Sequence, residues 1–460
     1  MHNIESDFIE SESDFSIGIE NLSKIEGHAE LEVKISARKV VDAKLLIGEN
    51  KRFFSEAAIG KHALAIPQLV SRICGTCSVA HLLASIDAIE NAFGLEPSAQ
   101  TINLRKLLMN GTHIRDHAMH LYMFCLPDLF KKDSILDFDE NDEKQHNLIH
   151  KAFTVKSTGN KLATIVGGRA VHSPFALVGG FLKIPTKEEI KETVSELKKA
   201  RGAALEFIEI FYQAEFSFKS DAYFVALLSN DYNYITGQIC GDAQGCILKS
   251  AFDHYLERVV IPYSQARGFT YKEKPYIVGA LARMNYNKRN IHKETKRDVK
   301  KYLAKFPSLD VYHNNLAQAI EIVHDIDASI ELLETIDLKA ESVKKADIKK
   351  SIGIGVVEAP RGLLYYKIMT ESDGRIIYTN FVIPTAQNQI KMERDLGLLV
   401  QKRLDAGKTK EEIKHEMETL IRAYDPCMSC ATNFLKIKWK TDQYTDPLKK
   451  RGSYILNQSR

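Results

Sequence analysis

The sequence predicts an α+β protein, predominantly helical, with a central bundle of long helices and small peripheral sheets. Three observations carry this. Long stretches repeat apolar residues at helical spacing, as in Val79, Leu82, Leu83, Ile86, Ile89 and Phe93. Short alternating stretches bounded by turn residues lie near both ends of the chain. A Cys-x-x-Cys pair, Cys74 and Cys77, has a counterpart in Cys427 and Cys430, nearly the whole chain away. Two pairs so far apart serve one metal only if the fold brings both ends inward.

The elements follow in order. Residues 1–16 are acidic and read as an arm, with neither the basic nor the apolar region of a signal peptide. In Ala29–Ile47, Leu31, Val33 and Ile35 alternate with Glu32 and Lys34, then Ser36–Lys39 turns, which predicts a hairpin. Just before it, Glu26 reads as an ordinary exposed acid on the residues alone. The helix predicted over Val79–Phe93 starts directly after Cys77, so the first cysteine pair stands on a helix N-terminus, which favours thiolate. A second helix is predicted over Ala99–Phe130. Its His117 and His120 share a face, and packing or hydrogen bonding is the expected use.

Asp137–Glu143 reads as an acidic surface loop. Paired glycines at Gly167–Gly168 and Gly179–Gly180 hold Arg169 and His172 in a defined loop. Helices are predicted over Lys187–Tyr212, Tyr312–Ser342 and Thr409–Tyr424, and Ser220–Asp310 is mixed. Gly353–Val357 reads as a buried strand leading to Arg361, which Pro360 and Gly362 aim. A hairpin follows, formed by Leu363–Lys367 and Arg375–Phe381 about Asp373–Gly374. The Gly407–Lys408–Thr409 run lacks a phosphate loop's first glycine and reads as a turn.

At 460 residues, 44% hydrophobic and 27% charged, the chain suits a soluble globular protein. A net charge of +3 gives no reason to invoke nucleic acid. No apolar run nears the roughly eighteen residues of a membrane span. Seven cysteines make no disulfide framework: Cys125 reads as a buried thiol, and Cys240 and Cys246 as structural or incidental. Spacing alone leaves the metal at the two pairs undecided, with structural zinc the simplest competitor.

Taken together, the motifs resemble the large, catalytic subunit of nickel–iron hydrogenases. The resemblance rests on Arg72-x-Cys74-Gly75-x-Cys77-x-x-x-His81, Asp425-Pro426-Cys427-x-x-Cys430, Ile25-Glu26-Gly27-His28, His117 with His120, Gly167-Gly168-Arg169-x-x-His172, Glu358-Ala359-Pro360-Arg361-Gly362, and Pro384-Thr385. It runs in order through nearly the whole chain. It implies one catalytic domain over 17–433 and a Ni–Fe centre whose iron carries two cyanides and one carbon monoxide. Cys74 and Cys427 would be terminal on nickel, with Cys77 and Cys430 bridging. Dihydrogen would split heterolytically, Cys427 or Arg361 taking the proton and Glu26 relaying it outward. Arg361 and Thr385, with Pro384 beside them, would hold the cyanides, and His81 would tune a bridging sulfur.

The resemblance also implies an iron–sulfur small subunit, further electron-transfer subunits and maturation chaperones. The Asp-Pro-Cys-Met-Ser-Cys-Ala-Thr run is similar to that of the cytoplasmic branch coupled to NAD(P), a deazaflavin or a heterodisulfide-type acceptor. A membrane-associated uptake enzyme, a cofactor-free precursor and a quinone-reductase-like subunit without catalysis are the alternatives. The last lacks metal cysteines, and all four are present here. Three positions depart from the family pattern. Asn433 replaces a histidine where maturation proteases cut, Ser55 replaces a glutamate (with Glu56 adjacent), and Lys24 replaces an arginine. The first two put an accessory magnesium ion in doubt. In the tail, 434–460, Leu435, Ile437 and Trp439 alternate with lysines, and the expectation is that the tail is kept.

Overall fold

The structure is a computed structural model that describes residues 14–48, 53–242 and 245–432. Its centre is built from helices whose ends are set by local chemistry. Helix α1 (Ser78–Phe93) begins at Cys77 and stops at Gly94, whose left-handed backbone (φ 65°) terminates it. Helix α2 (Ala99–Ala118) is capped by the Ser98 hydroxyl, which accepts from the Thr101 N–H. Helix α3 (Glu143–Gly167) has Asp142 as its cap. Helix α4 (Lys187–Tyr212) carries a full capping box of Thr186 and Glu189. Helices α5 (His313–Thr335), α6 (Pro384–Asp405) and α7 (Lys410–Ala423) complete the set, α7 with a second capping box, Thr409 and Glu412.

The Ala99–Phe130 prediction holds as a continuous rod with one irregularity. After Ala118 the backbone passes through a π-helical stretch, Met119–Cys125, before Leu126–Leu129 resumes α-helix. Helices α2 and α3 cross at glycines. A Cβ on Gly111 would stand 2.7 Å from the Ala163 nitrogen, and one on Gly159 would stand 2.6 Å from the Arg115 nitrogen. Only hydrogen fits there.

Two three-stranded antiparallel sheets flank the bundle, and one four-stranded and two two-stranded sheets complete the described strands. The N-terminal sheet joins Phe15–Ile19, Ala29–Ser36 and Lys39–Ile47, the last two forming the predicted hairpin. The C-terminal sheet joins Ser351–Ala359, Gly362–Thr370 and Ile376–Val382. Its first strand lies on α1: a Cβ on Gly353 or Gly355 would fall 1.9 Å from the Ala88 oxygen or 2.0 Å from the Ala84 oxygen. Arg361 occupies the tight turn between Ala359 and Gly362, which face each other in register.

Four features depart from the sequence reading, the first being that the helix predicted over Tyr312–Ser342 ends at Thr335. Helix α3 has no clear sequence signal, since its buried face (Leu148, Ala152, Val155, Leu162, Val166) is narrow and otherwise made of small or polar residues. Helix α6 is equally silent beyond its Pro384 start, because its many polar side chains mask the period. Cys240 and Cys246 face each other across the hairpin of Gln238–Gly241 and Gly245–Ile247 and are disulfide-bonded, a pairing the spacing does not suggest. Most of the acidic arm, Asn433 and the tail lie outside the described residues. Among the described residues no helix is long and apolar enough to cross a membrane.

Candidate metal centre

Three of the four cysteines stand on turns that open helices, and Cys430 lies within the second of these helices. Cys74 and Cys77 precede α1, and Cys427 precedes the short helix Met428–Ala431. The second turn is delivered by α7 through Asp425, whose left-handed backbone (φ 50°) redirects the chain. All four cysteines are buried, and their sulfur atoms lie within 4.8 Å of one another. Cys74 Sγ is 3.3 Å from Cys427 Sγ, which is 2.9 Å from Cys430 Sγ. Among the described residues this is the single cluster with metal-ligating geometry.

The remaining predicted residues gather around it on two sides. On one side is half-buried Glu26, with Oε2 3.0 Å from Cys427 Sγ and Oε1 3.8 Å from Cys74 Sγ. Its carboxylate also accepts from the Ser429 N–H (3.2 Å) and hydroxyl (2.7 Å). On the other side, Arg361 Nη1 donates to Cys77 Sγ at 3.3 Å, and His81 Nε2 lies 3.5 Å from Cys430 Sγ. His81 Nδ1 is held by the Tyr366 hydroxyl at 2.7 Å. Burial pushes the imidazole down to about 4, so it is neutral at neutral pH. The Thr385 hydroxyl oxygen accepts from the Cys427 N–H at 2.9 Å, which leaves its own proton to donate.

Between these groups lies a small cavity of about 10 Å³, walled by Ala359, Leu364, Ile383 and Pro384 together with Cys77, Cys427 and Cys430. Pro384 and Thr385 form the first turn of α6, so a helix N-terminus, with its partial positive charge, borders this cavity. Arg361 also lines it, and its Nη2 is buried without a hydrogen-bond partner. Burial works against the guanidinium charge, but Asp425 (Oδ1 3.1 Å from Nε), Cys77, Cys427 and Asp116 keep it protonated. Burial pushes the Cys427 and Cys430 thiols up, whereas hydrogen bonds from Cys427, Cys430 and Cys74 draw Cys77 down. Four thiolates cannot share this dry space unless cations neutralise them, and soft sulfur selects soft or borderline metals. The donor set fits a dinuclear metal site, and the orphaned guanidinium N–H and helix N-terminus fit an anionic ligand beside it.

The other sequence candidates fall elsewhere. His117 Nε2 bonds Glu321 at 2.9 Å, and His120 bonds Gln318 at 2.6 Å and the Arg422 carbonyl at 2.7 Å, so both histidines are structural. His172 is pinned by Ser78 and by the Ser71 carbonyl in the loop that follows α3. Glu56 is exposed on the short helix Phe54–Ala58. Residues not singled out also matter. Thr76 Oγ1 lies 3.0 Å from Cys74 Sγ, and Arg115 donates to both the Thr76 and Ala170 carbonyls. Asp116 stands beside Arg361, its carboxyl pushed up to about 6 by burial. Ser429 and Asp425 lie inside a recognised motif. Asp116 has no such signal, being one more acid on a helix.

A buried four-sulfur centre flanked by a carboxylate and a guanidinium defines a thiolate-ligated metalloprotein. Its relatives narrow the class. The nickel-dependent hydrogenase family model matches residues 54–154 and 247–433. The alpha chain of sulfhydrogenase 2 from Pyrococcus furiosus is 33% identical over 427 residues, spanning 92% of this chain and 100% of that protein. The corresponding chain of the vhu F420-non-reducing hydrogenase from Methanocaldococcus jannaschii is 28% identical over 414 residues, spanning 84% and 98%. The crystal structure of an NAD+-reducing NiFe-hydrogenase in the H2-reduced state shares the fold, with a TM-score of 0.81 at 24% identity over 91% of this chain and 99% of that one. The chain belongs to the nickel-dependent hydrogenase family and is an oxidoreductase acting on H2.

Proposed function

We propose that this chain is the catalytic subunit of a cytoplasmic complex in which H2 is split heterolytically and its electrons leave through an iron–sulfur small subunit. The observation that carries the reading is the meeting of four sulfurs, Glu26 and Arg361 around one buried cavity. Cys74, Cys77, Cys427 and Cys430 would hold nickel and iron, with cyanide and carbon monoxide on the iron. When bound, the centre supplies an open metal position at which H2 is polarised. Arg361 Nη2 and the Thr385 hydroxyl would be the donors for cyanide, with Pro384 in the cavity wall beside them. His81, neutral and oriented by Tyr366, donates toward Cys430 and lowers the electron density on that sulfur. Cys427 takes the proton and Glu26 receives it across 3.0 Å.

The electron acceptor is a soluble carrier of the NAD(P), deazaflavin or heterodisulfide type. The support is the Met428–Ser429 spacer between the last two cysteines and the similarity to sulfhydrogenase and F420-non-reducing hydrogenase subunits, the latter name weighing against a deazaflavin. Beyond Cys74, Cys77, Cys427 and Cys430, the remaining three cysteines are one buried thiol and a disulfide pair. Electrons therefore leave through clusters on a partner. H2-dependent reduction of NAD+, NADP+, a deazaflavin and a heterodisulfide by the purified complex tests this reading. Reduction of one of them at a rate comparable with an artificial dye is expected. Dye reduction without any of them favours the membrane-associated uptake reading. The tail, 434–460, is kept in the active enzyme. Intact mass of the nickel-loaded protein checks this, and a mass ending at Asn433 contradicts it.

A further inference from the structure

Glu26 and Cys427 are on segments with little regular structure to hold them. They run side by side as a short parallel bridge, with the Met428 N–H donating to the Glu26 carbonyl at 2.9 Å. Each is approached through a strained residue two positions earlier: Lys24 has φ 55° and Asp425 has φ 50°. Such conformations persist in non-glycine residues only where the surroundings over-determine them. One side chain does much of that determining for both segments. Asp128, buried in the helix turn after the π-helical stretch, accepts from Lys24 Nζ at 2.6 Å. It also takes both arms of Arg422, Nε at 2.7 Å and Nη2 at 2.9 Å. Arg422 in turn donates to the Ser23 carbonyl at 3.2 Å, so the cluster ties the chain before Glu26 directly to the end of α7. A planar guanidinium gripped at two points fixes orientation as well as distance.

We propose that Asp128 is a positioning residue for proton transfer. By holding Lys24 and Arg422 on one carboxylate, it sets the approach of Glu26 to Cys427. In the step it serves, the S–H bond of Cys427 breaks, an O–H bond forms on Glu26 Oε2, and no electron moves. The proposal rests on the reading of Glu26 as the proton group, so Glu26→Gln is measured in parallel.

The experiment uses the complex with its iron–sulfur partner and compares Asp128→Asn with Lys24→Met/Asp128→Asn. The double variant removes Lys24, one of the two cations that the single change deprives of Asp128, while Arg422 keeps Glu418 at 3.3 Å, and so separates fold stability from positioning. H2 oxidation, D2/H+ exchange, para-to-ortho hydrogen conversion, nickel content and melting temperature are recorded. Conversion needs splitting and recombination within the cavity but no proton exit. The expected result is an exchange rate at least tenfold below wild type in both variants, with conversion and nickel content unchanged, and with melting temperature recovered in the double variant. A stable double variant with wild-type exchange overturns the proposal, as does loss of nickel from it, which makes Asp128 a support of the metal site. Wild-type exchange in Glu26→Gln withdraws both readings, whereas slow Glu26→Gln with fast Asp128 variants withdraws this one alone.

Discussion

Two clusters of buried polar side chains share the Glu358–Arg361 segment, and they meet their electrostatic needs in opposite ways. In the first, Arg283 grips Glu321 through Nε and Nη2, both at 2.7 Å, and Glu358 through Nη1 at 2.7 Å. His117 and the Tyr232 hydroxyl complete Glu321 at 2.9 and 2.8 Å. Burial alone would raise Glu321, but Arg283 and His117 hold its carboxyl well below the usual range. Every carboxylate in that cluster meets a cation or a donor from the protein itself, with only the neutral side of His117, Nδ1, left unpaired. In the second, four sulfurs of like character face one another, and Arg361 Nη2 points at no protein acceptor. This cluster is incomplete as protein alone. The difference separates a buried polar network that supports a fold from one that holds a cofactor, and counts of charged residues do not show it.

The comparison breaks most visibly at the cysteines. Serine at any one of Cys74, Cys77, Cys427 or Cys430 should abolish turnover and most nickel retention, because a hard hydroxyl replaces a soft thiolate. Metal analysis beside H2-dependent dye reduction checks this, and an active, nickel-replete Cys77→Ser enzyme contradicts it. Next comes Glu26→Gln, which keeps the ligand set but cannot accept a proton. H2 oxidation should fall by about two or more orders of magnitude, within the range for losing a general base, with metal content unchanged.

In the closed cluster the effects move from chemistry to stability. Glu321→Gln removes one partner of a buried ion pair and should cost about 3 kcal/mol in urea denaturation while nickel stays bound. Asp325, on the same helix, differs: burial and then the Glu321 charge push its carboxyl far above the ordinary range, against the opposing pull of Tyr234 and Arg283. It is neutral when folded and ionised when unfolded at neutral pH. A raised folded value means its contribution is fully present below about pH 4 and declines as pH rises. Asp325→Asn should therefore be more stable than wild type by ~1 kcal/mol at pH 7, with the gain vanishing toward pH 4. A constant difference across that range contradicts the account of Asp325.

The sequence made the local parts of the site legible and hid the long-range ones. Both cysteine turns, the Pro360–Arg361 turn and the hairpins are set by neighbours a few positions away, so they could be read directly. The four cysteines, Glu26, His81, Arg361, Pro384 and Thr385, far apart in the chain, come together at one place in the fold. Hidden were the contacts that depend on the bundle, such as Asp116 beside Arg361 and Asp128 between Lys24 and Arg422. Each is one acid among many until helices pack. Helix α3 was missed for a related reason, since its glycine and alanine face becomes meaningful only against Gly111 of α2.

The central claim is that the open cluster holds nickel and iron together. Its most direct test is metal stoichiometry on the purified protein, joined to an infrared spectrum in the cyanide and carbon monoxide stretching region. The account predicts one nickel and one iron per chain, with cyanide and carbon monoxide bands that disappear in Cys430→Ser. Zinc in place of both metals, or nickel and iron without those bands, would contradict it.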